Sequence, residues 1–114
     1  GVAMHTSYYA KSAKHPNAVS IAGKAPAFYT GRQYKKLAPK FWFFEKYKKD
    51  GDEEFYTKHY YEEVLDKLDP FTVLKELGAH AVLLCYETPE KFCHRKLVAK
   101  WLSEKTGIEI TELP

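Results

Sequence analysis

Apolar positions along the chain recur with two periods. Ala18-Val19-Ser20-Ile21-Ala22 alternates at the strand period until Gly23 breaks it, and Ile108 to Leu113 alternates in the same way. Met4 to Ala10 alternates more weakly and, with Tyr8 and Tyr9 near its end, reads as a first strand. Ala81 to Tyr86 is apolar without interruption, the pattern of a strand buried on both faces and therefore central in its sheet. The helical period appears between these runs. Tyr56, Tyr60, Val64 and Leu68 recur every four residues and predict a helix over 53–68, with Asp50 or Asp52 available to cap it. Phe41, Phe44 and Tyr47 fit one face of a helix over 40–48. Asp69-Pro70 opens a short helix through Leu77 that Gly78 stops. Leu97, Val98, Trp101 and Leu102 form the stripe of a last helix, which starts at Thr88-Pro89 or nearer Cys93 and ends at Thr106-Gly107. Residues 24–39, with their prolines, glycines and lysines, read as loop with one helical turn within 31–37.

Together these elements predict an α/β fold: a small, mainly parallel sheet of about four strands, flanked by helices and ending in a βαβ unit over 81–113 whose strands pair in parallel. The 114 residues suffice for one domain, 4–114, with its own core. Gly1-Val2-Ala3, ahead of Met4, reads as a cloning remnant.

Charge divides the chain. Residues 1–49 carry ten Lys and Arg against the single acid Glu45, whereas residues 50–114 carry eight bases and fourteen acids. The formal net charge of +3 conceals this asymmetry, which points to an anionic partner for the first half or to two halves that attract each other. Arg32, Lys35, Lys36 and Lys40 lie near Trp42, a combination that can neutralise phosphates and stack bases of a nucleic acid. An acidic protein is the other partner such a surface fits. Two cysteines, no apolar run near the ~20 residues that cross a bilayer and no secretory leader lead to the expectation of a cytoplasmic protein with no membrane partner.

Candidate chemistry gathers where the central strand ends and the last helix starts. Cys85, Glu87, Cys93, His94 and Arg95 should share one rim of the sheet, and in open α/β sheets that rim is where ligands bind. Cys93 is the candidate nucleophile, because a helix start and neighbouring cations favour the thiolate; the alternative is a packed, inert thiol. Cys85, inside the apolar run, reads as core. Arg95 is the candidate anion clamp, or else a structural ion pair with Glu87. Glu87 is a candidate general base or an orienting partner for His94, which would move a proton. No metal or cofactor is expected, since Cys-x-x-Cys and His-x-x-x-His pairs are absent and adjacent Cys93 and His94 on a regular helix diverge.

Several of these segments together resemble the bacterial and phage family called domain of unknown function 488. They are Thr6-Ser7-Tyr8-Tyr9-Ala10-Lys11, Ser20-Ile21-Ala22, Tyr34-Lys35-Lys36-Leu37-Ala38-Pro39, Leu83-Leu84-Cys85-Tyr86-Glu87, Phe92-Cys93-His94-Arg95 and Trp101-Leu102. The resemblance implies a compact α/β domain with a site around Cys-x-Glu and Cys-His-Arg, and implies no substrate. The expected function is binding, and on one reading processing, of a phosphate-bearing ligand such as a nucleotide or nucleic acid. The alternative is a non-enzymatic interaction module, phage-related, that binds nucleic acid or an acidic protein through the basic half. Sequence alone leaves open whether the protein is an enzyme.

Overall fold

The computed structural model describes residues 3–114; Gly1 and Val2, the start of the segment read as a cloning remnant, lie outside the described residues. Its elements run β1 (His5–Tyr8), α1 (Tyr9–Ser12), β2 (Ala18–Ser20), β3 (Arg32–Gln33), α2 (Phe41–Asp50), α3 (Glu53–Glu63), α4 (Pro70–Leu77), β4 (Val82–Cys85), α5 (His94–Thr106) and β5 (Thr111–Glu112). The strands form one five-stranded sheet in the order β3-β2-β4-β1-β5, and every pairing is parallel. β4 lies at its centre with all four residues buried, as its unbroken apolar run requires.

Two apolar layers cover the sheet. Because successive strand residues point to opposite faces, Leu83 and Val19 face a large core with Phe43 of α2, Tyr56 and Tyr60 of α3, Val73 and Leu77 of α4, and Val98, Trp101 and Leu102 of α5. Val82, Leu84 and Ala18 face a smaller cluster built from Tyr9 of α1 and from Ala22 and Tyr29 of the loop after β2.

The structure departs from the sequence expectations in four places. First, β1 ends at Tyr8, and Tyr9–Ser12 makes one helical turn that buries Tyr9 and Ser12, with Ser12 Oγ 2.6 Å from Ser7 Oγ. Second, the helix expected over 53–68 ends at Glu63. Val64 leaves helical geometry (φ −124°, ψ −70°) and a 3-10 turn follows at Leu65–Lys67, which lets the adjacent Val64 and Leu65 both enter the core. Third, Arg32–Gln33 adds an edge strand too short for periodicity to reveal. Fourth, the two strands of the closing βαβ unit are parallel but not neighbours: β5 pairs with β1, which stands between it and β4. The expected caps are present. Asp52 Oδ1 accepts from Phe55 N at 3.0 Å, and Asp69 Oδ2 accepts from Thr72 N at 2.9 Å with Pro70 in the first turn of α4.

Candidate functional site

A cleft of about 1210 Å³ opens where β2 and β4 end, walled on one side by α2 and the first turn of α3. Its floor is Cys85, Cys93 and His94, its loop rim holds Tyr86, Glu87, Glu90, Lys91 and Phe92, and Ala22, Gly23 and Lys24 close the side next to β2. Two contacts fix this frame. Tyr86 Oη donates to Lys24 O at 2.5 Å, tying the loop after β4 to the loop after β2. Phe92 packs against Tyr47 and Tyr56, with ring centroids 5.1 and 5.2 Å away, so the loop before α5 is held to the α2–α3 hairpin. Gly51 in the left-handed region (φ 65°) makes the sharp turn between those helices, a conformation that costs glycine no Cβ clash.

The stripe Phe41, Phe44 and Tyr47 faces this cleft. Phe43, outside the stripe, is the buried core residue of α2 and Tyr47 packs against that core, while Phe41 is 75% exposed and Phe44 37%. The helical spacing was legible; its destination was not, since a stripe shows that a helix has an apolar face and not what that face covers. Lys24, Tyr86 and Phe92 also line the cleft; Tyr86 and Phe92 stand within the motifs quoted above, but sequence reasoning placed none of the three in the site.

At the floor, Cys85 and Cys93 are joined sulfur to sulfur in a disulfide, with their Cα atoms 7.0 Å apart. Cys85 is buried, as its place in the apolar run predicts, and so is Cys93; the expectation of Cys93 as a nucleophile acting alone is corrected here, because the two cysteines form one pair. Cys93 is the N-cap of α5, in extended conformation (φ −153°, ψ 143°), and this turns its side chain back toward the end of β4. The same conformation overturns the argument that Cys93 and His94 must diverge, because only His94 has entered the helix. A ring nitrogen of His94 and the two sulfurs all lie within 4.8 Å of one another.

His94 is buried, and its Nε2 stands 2.8 Å from Ile21 O. A carbonyl only accepts, so Nε2 carries the proton and Nδ1 keeps the lone pair. Burial, helped by the charge of Arg95, holds the imidazole at about 4 against the opposing pull of the Ile21 carbonyl. At neutral pH it is therefore an uncharged ligand or base and not a cationic acid.

Arg95 stands behind the floor instead of on it, which corrects its expected role as an anion clamp. It is fully buried; Nε and Nη2 donate to Glu112 at 3.1 and 3.0 Å, and Nη1 donates to Glu87 O at 2.7 Å and to Cys85 Sγ at 3.2 Å. No bidentate edge is left for an outside anion. Its carboxylate partner is Glu112 and not Glu87. Thr6 Oγ1 also donates to Glu112, at 2.7 Å. Burial raises the Glu112 carboxyl, but these hydrogen bonds and the Arg95 charge outweigh that and hold it below the usual range. The Glu87 side chain stays at the exposed rim, 3.9 Å from Lys91 Nζ.

Part of the basic half is committed to internal partners. Arg32 donates to Leu77 O and Glu76 O at 3.0 Å each, where the carbonyl end of α4 attracts a cation. Lys36 pairs with Glu76 at 3.1 Å, and Trp42 Nε1 donates to Glu63 at 3.1 Å. Lys35 and Lys40 are exposed and, among the described residues, have no acidic partner.

The family model for the active DUF488-N3 subclade, DUF488-N3a, matches residues 10–106. The chain belongs to this family. The matched stretch of this DUF488-N3a domain holds the whole cleft, including Cys85, Glu87, Cys93, His94 and Arg95, whereas Glu112 follows it in β5. Neither a curated protein nor a solved structure matches the chain. None of the helices among the described residues is long and apolar enough to cross a membrane.

Proposed function

We propose that the cleft binds a nucleotide, free or at the end of a single strand, and that the Cys85–Cys93–His94 floor with Glu87 is its reactive end. One observation carries this reading: the aromatic stripe of α2 and the floor of paired cysteines and imidazole line the same cleft. Phe41 and Phe44 offer flat faces for a base, and desolvating them favours a planar ligand. Lys48 Nζ, 5.3 Å from the Phe44 ring centroid, pairs with Glu45. Lys91 pairs with Glu87. Lys24 has no acidic partner among the described residues and takes over the phosphate contact first expected of Arg95. Glu87 at the rim and neutral His94 at the floor are positioned to receive and return a proton; the aim of the family description at an active subclade agrees with chemistry beyond binding.

Calorimetric titration of nucleoside monophosphates, the matching nucleosides and inorganic phosphate tests the reading. The monophosphates should bind, the nucleosides more weakly, and phosphate alone not measurably. Phe44→Ala should weaken binding by about 1–3 kcal/mol, the range for one base–aromatic stack, roughly 5- to 150-fold in Kd. Inorganic phosphate binding as well as the nucleotides, or none of the probes binding to folded protein, would contradict it.

A further inference from the structure

The cleft floor has the make-up of a metal site. Two sulfurs and one imidazole nitrogen lie within 4.8 Å of one another, a spacing that one ion at ordinary Zn–S and Zn–N bond lengths of about 2.0–2.3 Å can bridge. All three residues line the cleft, so a fourth ligand can arrive from it. We propose that Cys85, Cys93 and His94, with the thiols reduced, hold one thiophilic divalent cation of the zinc class, its fourth position open to the cleft. This deepens the nucleotide reading and rests on it only for what reaches the fourth position.

Three further observations support the assignment. The 7.0 Å between the Cα atoms of Cys85 and Cys93 stands just beyond the range of about 4.4–6.8 Å usual for a disulfide, a backbone spacing that accommodates an ion between the sulfurs. His94 donates Nε2–H to the Ile21 carbonyl, the arrangement that fixes ring and tautomer in metal-binding histidines and leaves Nδ1 as the donor. Arg95 Nη1 donates to Cys85 Sγ at 3.2 Å, the hydrogen bond expected around a thiolate ligand. The charges also close: a dication with two thiolates and a neutral imidazole has no net charge, and Arg95 is already neutralised by Glu112. Two thiolates and an imidazole select zinc-class ions over magnesium or calcium. Three protein ligands with a position open to a cleft is the pattern of a catalytic ion, not a structural one. Cys93 and His94 are then ligands, proton transfer falls to Glu87, and the reactive group is whatever the ion holds at the fourth position.

Loading begins with the disulfide. A water-soluble phosphine is oxidised to its oxide with oxygen from water, and the two electrons and two protons released convert the disulfide to two thiols. The cation then displaces both thiol protons to solvent.

Cobalt(II) is the probe. The full chain, reduced with phosphine and freed of it without air, should bind one Co²⁺ with a thiolate-to-cobalt charge-transfer band that equimolar Zn²⁺ abolishes. The disulfide form should show no such band. Cys93→Ala and His94→Ala, checked for folding by circular dichroism, should each lower affinity at least tenfold. X-ray absorption of the zinc-loaded wild type needs no substitution and should show two sulfurs and at least one nitrogen around the metal. A reduced, folded wild type without the band, a disulfide form that binds equally, a folded Cys93→Ala with wild-type affinity, or a zinc shell without sulfur would each overturn the proposal. Nucleotide titration of the zinc-free chain reports separately: its failure beside an intact cobalt spectrum removes the nucleotide reading and leaves the metal site.

Discussion

Single residues decide what the site can do, and two of them act differently from what their sequence neighbours suggest. Arg95 follows Cys93 and His94 directly, yet its guanidinium is turned away from the cleft and spent on Glu112, Glu87 O and Cys85 Sγ. Nothing local foretells this partner, because Glu112 reaches Arg95 only through the pairing of β5 with β1. Arg95→Ala leaves Glu112 partly buried and unpaired, and should cost on the order of 3 kcal/mol in urea unfolding. The pair also sets an acid limb. Glu112 has its folded-state carboxyl held below the unfolded value of about 4.3, so its contribution is complete above that value and is lost as pH falls through the folded one. Glu112→Gln should therefore flatten the fall of the urea midpoint below about pH 4–5; an acid limb as steep as that of wild type would show that other carboxylates set it. Cys93 was legible as a residue type and illegible as a geometry. Its partnership with Cys85 and His94 depends on an extended N-cap conformation that residue spacing does not encode.

At the scale of elements, the sequence was most informative where local chemistry and burial agree. The unbroken run of β4 told its central place, and Asp52, Asp69 and Gly78 marked helix ends because caps act through the nearest backbone groups. It was least informative for β3, whose two residues pair only because β2 offers an open edge, and for α2, whose stripe touches the core only through Tyr47 while Phe41 and Phe44 line the cleft. The α2–α3 hairpin, which presents that stripe, hangs on the Asp52 cap and the Gly51 turn. Asp52→Ala should lower stability by about 1 kcal/mol and speed hydrogen exchange of the Phe55 amide ahead of the sheet amides. Unchanged Phe55 exchange would mean that the cap does not hold the start of α3.

Across the whole molecule, a five-stranded parallel sheet sets its site at the strand ends, where β2 and β4 deliver Lys24, Cys85 and the loops around them. Part of the charge division that dominates the sequence is met across the two halves, by Lys36 on Glu76, by Lys46 on Asp50 and Asp52, and by Arg32 on the carbonyl end of α4. The proposed function hangs on the cleft, and one measurement addresses it directly: the rate at which iodoacetamide alkylates Cys93 in the reduced, metal-free chain, with and without a saturating nucleoside monophosphate. A nucleotide stacked on Phe41 and Phe44 covers the floor, so labelling of Cys93 should slow several-fold, and the protection should vanish in denaturant. A nucleotide that binds while Cys93 reacts at its unprotected rate would contradict a cleft that holds ligand and reactive groups together.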